Sequence, residues 1–366
     1  MRVVVKIGSS SVTTSEFTPQ MATLERVCDD IASVRSEGHE VVLVSSGAIA
    51  LGLGRLGLTS RPSGAPELRA AAAVGQVALM AAYEDVASSK GMKVGQLLLI
   101  PSDFADRDQY LHARETLHAL LARGVLPVLN ENDALSNQQL RYGDNDKVAA
   151  LVSNLVGAEL LILLTDKDGL YTSDPTFDPH ASLVEEVVRF DRLALSVGGV
   201  TSEVGSGGMA SKLQAARMAS WSGVETRIAN AGAPNVIARS IRGDESVGTR
   251  VVKRSRRLGA RRLWIAFASP PQGSVIVDEG AKHALVARGK SLLPAGVVDV
   301  EGAFDVGATI SVLDPSGAEI AKGLARLDVE GVRRVMGTRS KEHGISRSFE
   351  VIHRDDLVVL VDDPDV

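Results

Sequence analysis

The chain has 366 residues, 45% of them hydrophobic and 23% charged, which suits two or three domains with sizeable cores. Its formal net charge of -5 is uneven: residues 1–252 carry 23 basic and 29 acidic side chains, 253–262 six basic and none acidic, and 263–366 11 basic and 16 acidic. No apolar run approaches the roughly 20 residues of a membrane helix, the start MRVVVKIGSS lacks the plan of a secretory signal, and a single cysteine, Cys28, excludes a disulfide scaffold and a Cys-based zinc site. Cys28 sits in a helical stretch and reads as a packed thiol. The expected location is the cytoplasm, with no membrane partner.

Strand-like and helix-like segments alternate over residues 1–252. The apolar runs VVVKI (3–7), EVVLVSS (40–46), GQLLLI (95–100), VLPVLN (125–130), ELLILLT (159–165) and TRIANA (226–231) suit a parallel sheet covered on both faces. Helical stretches lie between them at 66–91, 108–124 and 147–159, and Gly91, Gly124, Gly157 and Gly223 fall near helix ends, where a positive φ is often wanted. The pattern predicts an α/β fold, a three-layer α/β/α sandwich. After the basic stretch KRSRRLGARR (253–262) the texture turns β-rich, with one clear helix at 281–289 and a turn at Asp314-Pro315-Ser316-Gly317. The expected division is 1–252, a basic linker 253–262, and a mostly β domain 263–366, plausible as a small barrel.

In an open α/β sheet, ligands bind beyond the carboxyl ends of the strands. After the first run stand Lys6, Gly8, Ser9 and Ser10: one cation, a glycine turn and hydroxyls suit an anion such as phosphate, although a strand-end lysine is more often simply solvated. After the second stand Ser46-Gly47-Ala48, whose backbone N–H groups can hold an anion or simply begin a capped helix. The string Gly52-Leu53-Gly54-Arg55-Leu56-Gly57 matches a dinucleotide fingerprint in letters, but it follows no strand directly and lacks the acidic residue about 20 positions on. A Rossmann site is rejected.

After the fourth run come Asn130-Glu131-Asn132-Asp133 and then Gly143-Asp144-Asn145-Asp146-Lys147. Clustered carboxylates and amides there suit a metal–nucleotide complex, a substrate ammonium or a substrate carboxylate. Thr165-Asp166 and the Asp168-Gly169 turn with Tyr171 follow the fifth run, and frame a nucleotide or a plain β-turn. Ser206-Gly207-Gly208-Met209-Ala210-Ser211-Lys212 opens a helix and forms a second phosphate-cradle candidate, without the Walker A spacing. Lysines far apart in sequence with acids between them are what phosphoryl transfer requires.

The strings VVVKIGSSSVT, VSSGAIALG, AAVGQVALM, NENDALS, RYGDNDKVAALVSNLVGAELLILLTDKDGLYTSDP and GSGGMASKLQAA resemble, in order, the amino acid kinase family. VDEGAKHALVARGKSLLPAGVVDVEGAF and GAEIAKGLAR resemble the PUA domain that follows the kinase domain in bacterial members acting on glutamate. The resemblance implies ATP-dependent phosphorylation of the L-glutamate side-chain carboxylate, the first step of proline biosynthesis. It assigns Lys6 and Lys212 to the transferring phosphoryl group, Asp146 to orienting them, and Asp144 to the neighbourhood of a Mg²⁺ held mostly by ATP phosphates. Ser46, Gly47, Ala48, Asp133 and Asn145 would bind glutamate. Lys6, Gly8, Ser9, Thr165, Asp166 and the run Ser206, Gly207, Gly208, Met209, Ala210, Ser211 and Lys212 would bind ATP. Ser206 stands where the family commonly has threonine, with the hydroxyl kept.

The resemblance further implies feedback inhibition by proline, a homo-oligomer (dimer or tetramer) and hand-off of product to the next reductase. A glutamate side chain, with an ordinary pKa of about 4.3, is already anionic at neutral pH, so no general base is needed. Relatives acting on acetylglutamate, aspartate, carbamate or UMP are the alternatives. RNA binding through the PUA domain is disfavoured, because phosphate neutralisation drives such binding and residues 263–366 are acidic.

Overall fold

The computed structural model describes residues 1–104, 106–135, 145–190, 208–255, 257–338 and 350–361. They form two units, Met1–Leu258 and Gly259–Val366.

The first unit is built on an eight-stranded sheet: β1 Arg2–Ile7, β2 Glu40–Ser45, β3 Lys93–Leu99, β4 Val125–Glu131, β5 Leu160–Thr165, β6 Glu186–Val187, β7 Glu225–Asn230 and β8 Thr249–Val251. The spatial order is β3-β4-β2-β1-β5-β7-β8-β6. From β3 to β7 every pairing is parallel, and β1 and β5 are mostly apolar and buried because helices cover both faces. The helices are α1 Ser9–Val12, α2 Met21–Ser36, α3 Ala48–Arg55, α4 Ala65–Ser88, α5 Arg107–Ala122, α6 Asn145–Val156, α7 Met209–Trp221 and α8 Val236–Ile241. Val3, Val5 and Ile7 of β1 pack with α2, α4 and α8 in one core. Alternation turns Lys6 to the other face, where α6 packs on β1. The three-layer α/β/α arrangement matches the expectation from sequence.

Two features depart from a simple parallel sheet. Strand β8 runs antiparallel to β7, with Thr226 opposite Val251, and β6 runs parallel to β8. The intervening helix α8 has six residues and rises only about 9 Å, too little to return the chain along β7 for a parallel entry. The glycine-rich string at 52–57 also has a packing role. A Cβ on Gly52 would lie 1.8 Å from the carbonyl oxygen of Ala71, and one on Gly75 would lie 1.7 Å from that of Ala48. These glycines let α3 and α4 touch backbone to backbone. The four helix-end glycines do take positive φ: 70° at Gly91, 67° at Gly124, 66° at Gly157 and 73° at Gly223.

The basic stretch is shared between the units. In the first, Arg254 N donates to Ser220 O and Leu258 N to Trp221 O, closing the end of α7, while the Arg254 guanidinium lies 4.2 Å from the Trp221 ring centroid. In the second, Arg261 pairs with Asp356 at 2.9 Å.

The second unit holds a five-stranded sheet in the order β10-β9-β11-β12-β13. Its strands are β9 Gly273–Val277, β10 Val297–Gly302, β11 Thr309–Leu313, β12 Glu319–Ala325 and β13 Ile352–Val359, all antiparallel except β9 with β11. Helices α9 Ala260–Leu263, α10 Glu279–Val286 and α11 Val329–Val335 accompany it. The sequence pattern had singled out only the segment of α10. Helix α11 is a seven-residue turn whose start is set by Asp328 accepting from Gly331 N.

Candidate active site

Parallel register brings the ends of β1, β2 and β5 together: Ile7 lies beside Ser45 on one side and Leu164 on the other. Loops leaving these strands surround a cavity of about 600 Å³. Lys6 forms its floor with Lys212 from the first turns of α7. Behind them lies Asp146, in the first turn of α6, with Oδ1 at 2.7 Å from Lys6 Nζ and Oδ2 at 3.4 Å from Lys212 Nζ.

All three are buried, with 3% (Lys6), 7% (Lys212) and 1% (Asp146) of their surface exposed. Burial pushes the Lys6 ammonium below its usual pKa, Asp146 pulls it back up, and Lys212 beside it pushes it down again. Within the trio two ammoniums share one carboxylate, so one positive charge is left without a full partner in a place that water reaches poorly. Such a site favours an anion.

One wall is made by Ser46, Gly47, Asn145 and Asp133. Gly47 has φ 109°, a left-handed conformation that glycine adopts without strain, and it caps α3 so that the helix begins at the cavity. Ala48 is the first residue of α3 and is buried beneath that wall. Asn145 Nδ2 donates to Ser46 Oγ at 3.1 Å. Burial pushes the Asp133 carboxyl up to about 6, against the opposing pull of Arg61, which also lines the cavity. Gly8, Ser9, Thr165, Asp166, Gly208 and Met209 also line the cavity. Thr165 Oγ1 donates to Asp166 Oδ1 at 3.1 Å, and Tyr171 stands nearby, its hydroxyl donating to Asp168. Ala210 and Ser211 lie in the first turn of α7 without lining the cavity. Asp144, Ser206 and Gly207 lie outside the described residues.

Three contributors escaped the reading of the sequence. Arg61 comes from the loop before α4, and Gln76 lies within α4. Asn130 was noted only as part of a polar string, yet its side chain is buried and bonds both Gln76 and Asn145. A lone polar residue in the alanine-rich run AAAAVGQVALMAA was the available signal for Gln76.

Among the described residues no group of three or more acidic, histidine or cysteine side chains is placed to hold a metal ion. Both oxygens of Asp146 face ammoniums. A Mg²⁺ ion would fit here chiefly through nucleotide phosphates and water, as that ion commonly binds.

The Amino acid kinase family profile matches residues 1–230, and the PUA domain profile matches residues 273–345. The chain is 45% identical over 364 residues to the glutamate 5-kinase of Geobacter sp. (strain M21), covering 98% of this chain and 97% of that one. It is equally similar, with the same coverage, to the glutamate 5-kinase of Citrifermentans bemidjiense. The enzyme of the same name from Caldanaerobacter subterraneus subsp. tengcongensis is 43% identical over 365 residues, 98% of each chain. With kinase-profile strands framing the cavity and relatives aligned across both units, the chain belongs to the amino acid kinase family and carries a C-terminal PUA domain.

Proposed function

We propose that this protein transfers the γ-phosphoryl group of ATP to the side-chain carboxylate of L-glutamate, giving L-glutamyl 5-phosphate and ADP, the first step of proline biosynthesis. The observation that carries the proposal is the buried Lys6–Asp146–Lys212 trio at the meeting of the strand ends. The near full-length similarity to proteins named glutamate 5-kinase supports the choice of acceptor.

The acceptor oxygen forms a bond to phosphorus as the bond to the ADP oxygen breaks, and no proton changes hands. No histidine lines the cavity among the described residues, in keeping with an acceptor that is already ionised. The obstacle is repulsion between the carboxylate and the polyphosphate. Lys6 and Lys212 offset the charge spread over the transferring group, and Asp146 holds both ammoniums in place. Ser46, Gly47 and Ala48, with Asn145 bonded to Ser46, form the wall that receives the substrate, where Asp133, ionised above about pH 6, attracts its ammonium. Gly8, Ser9, Thr165, Asp166 and the 206–212 loop hold the nucleotide. Mg²⁺ would be held chiefly by the nucleotide phosphates, with Asp144 the residue that the family resemblance assigns to its neighbourhood, and would supply further charge neutralisation.

The same proposal includes a catalytic domain 1–252, a linker 253–262 and a PUA domain 263–366. It also includes cytoplasmic location, feedback inhibition by proline, a homo-oligomer and delivery of product to the next reductase. The division and the location follow from the charge and texture of the sequence, and the inhibition, oligomer and delivery from the resemblance to the family. Trapping the acyl phosphate with hydroxylamine tests the acceptor: L-glutamate with ATP and Mg²⁺ should give the hydroxamate, and added proline should suppress it. Preferential turnover of acetylglutamate, aspartate, carbamate or UMP would overturn the assignment.

A further inference from the structure

A chain of side-chain hydrogen bonds runs from the edge of the sheet to the cavity, and it has a direction. The backbone N–H of Glu131 can only donate, and it lies 2.9 Å from both Asn130 Oδ1 and Asn145 Oδ1. Both amide oxygens must face it, because turning either amide over would set donor against donor. With its oxygen held, Asn145 gives its N–H groups to Asn130 Oδ1 at 2.8 Å and Ser46 Oγ at 3.1 Å. Asn130 donates in turn to Gln76 Oε1 at 2.9 Å, and Gln76 donates to Gln96 Oε1 at 3.2 Å on the edge strand β3.

The polarity matters at the cavity. Asn145 has both N–H groups committed, so it has none left for an anion. Ser46 Oγ accepts from Asn145, which leaves its own O–H to point elsewhere, and Ser46 lines the cavity. A carboxylate can only accept hydrogen bonds, so a hydroxyl held as a donor recognises it while one presenting a lone pair repels it. The backbone beneath is held as well: Ser45 Oγ lies 2.8 Å from the buried Tyr83 hydroxyl and donates to Ser46 O at 3.1 Å.

We infer that Gln76 is a positioning residue which, by anchoring the Asn130 amide that the Glu131 N–H orients, keeps Asn145 placed to hold Ser46 as a hydrogen-bond donor to the acceptor carboxylate. The inference rests on the function proposed above and adds to it. Asn145 acts on the substrate through Ser46, and a residue buried in α4 takes part in acceptor recognition.

A double-mutant cycle in the full chain tests it, using Gln76→Met, which keeps the bulk but cannot accept from Asn130, and Ser46→Ala. Gln76→Met should raise the KM for L-glutamate about tenfold, the scale of a lost hydrogen bond to a charged group, and leave the KM for ATP unchanged. In the Ser46→Ala background it should add nothing. Gln76→Glu, whose carboxylate still accepts from Asn130 once the Gln96 amide turns to donate to it, should restore the KM. Additive penalties, equal shifts in both KM values, or a Gln76→Glu variant as impaired as Gln76→Met would each overturn the inference. Failure of the proposed function looks different: the wild type then turns over another acceptor, and the same cycle read on that acceptor still decides whether Gln76 works through Ser46.

Discussion

The two units bury polar side chains to different ends. In the second unit, buried Thr309 bonds Ser269, Ser311 bonds Glu319, and Asp314 takes the Lys282 ammonium at 2.7 Å together with the turn N–H groups of Ser316 and Ala318. Each closes a local link in a sheet or turn. The first unit has such links too, as where Asp30 accepts from the N–H groups of Ile237 and Ala238, but a distinct set of its buried polar groups, Lys6, Ser45, Asn130, Asn145, Asp146 and Lys212, gathers at the carboxyl ends of β1, β2, β4 and β5. Two ammoniums and one carboxylate there do not balance. Desolvating an ion pair rarely stabilises a fold more than apolar packing would. An unbalanced trio therefore marks a place where an anion belongs, whereas the balanced pair Lys282–Asp314 marks structure.

The contrast can be broken by experiment, most forcefully at the trio. Lys6→Met or Lys212→Met should lower kcat by about 10²-fold or more, with a smaller change in the KM for glutamate, in steady-state assays. An undiminished kcat in either variant would remove that lysine from the chemistry. Gly75→Ala comes next. Its Cβ would collide with the Ala48 carbonyl, forcing α4 from α3 at a cost of about 3 kcal/mol and raising the glutamate KM, because Ala48 begins the helix that forms the acceptor wall. Thermal melting and kinetics together would show both effects.

A smaller effect should follow pH. Asp133 is held up to about 6, so it is ionised and attracts an ammonium above that pH and loses its charge below it. The kcat/KM for glutamate should fall by up to about tenfold per pH unit below 6, with the KM for ATP flat, and Asp133→Asn should abolish the inflection. The smallest catalytic effect belongs to the second unit. Asp314 is held well below the ordinary carboxylate range, chiefly by the Lys282 ammonium. The stability it contributes is present above about pH 4 and fades as pH falls toward its native value. Asp314→Asn should therefore lower the melting temperature at neutral pH, lose that effect in acid, and leave kcat unchanged. A drop in kcat would mean the two kinds of burial are not as separate as their bonding suggests.

Much of the site was legible because the loops that follow apolar runs in an α/β sheet carry its chemistry. That rule points to Lys6, Ser46 and Thr165, and a glycine-rich stretch opening a helix points to Lys212. Gln76 escapes both, because it lies mid-helix and 54 positions from the asparagine it bonds, with no local pattern to announce a long-range partner. Arg61 was missed for a similar reason: an arginine in a loop with proline and serines reads as solvated surface until the fold turns it into a cavity.

By itself the sequence determined the layered α/β architecture, the change to a β-rich second unit and the loops where anions would be met. Apolar periodicity, glycine at helix ends and charge placement are local properties, and local properties survive in one dimension. Only the tertiary structure decided that both lysines share one carboxylate, that β8 enters the sheet backwards, that the glycines of α3 and α4 serve packing, and that a line of amides sets the direction of a serine proton. Those outcomes depend on distances between segments far apart in the chain, and on which donors can face which acceptors once the core has closed around them.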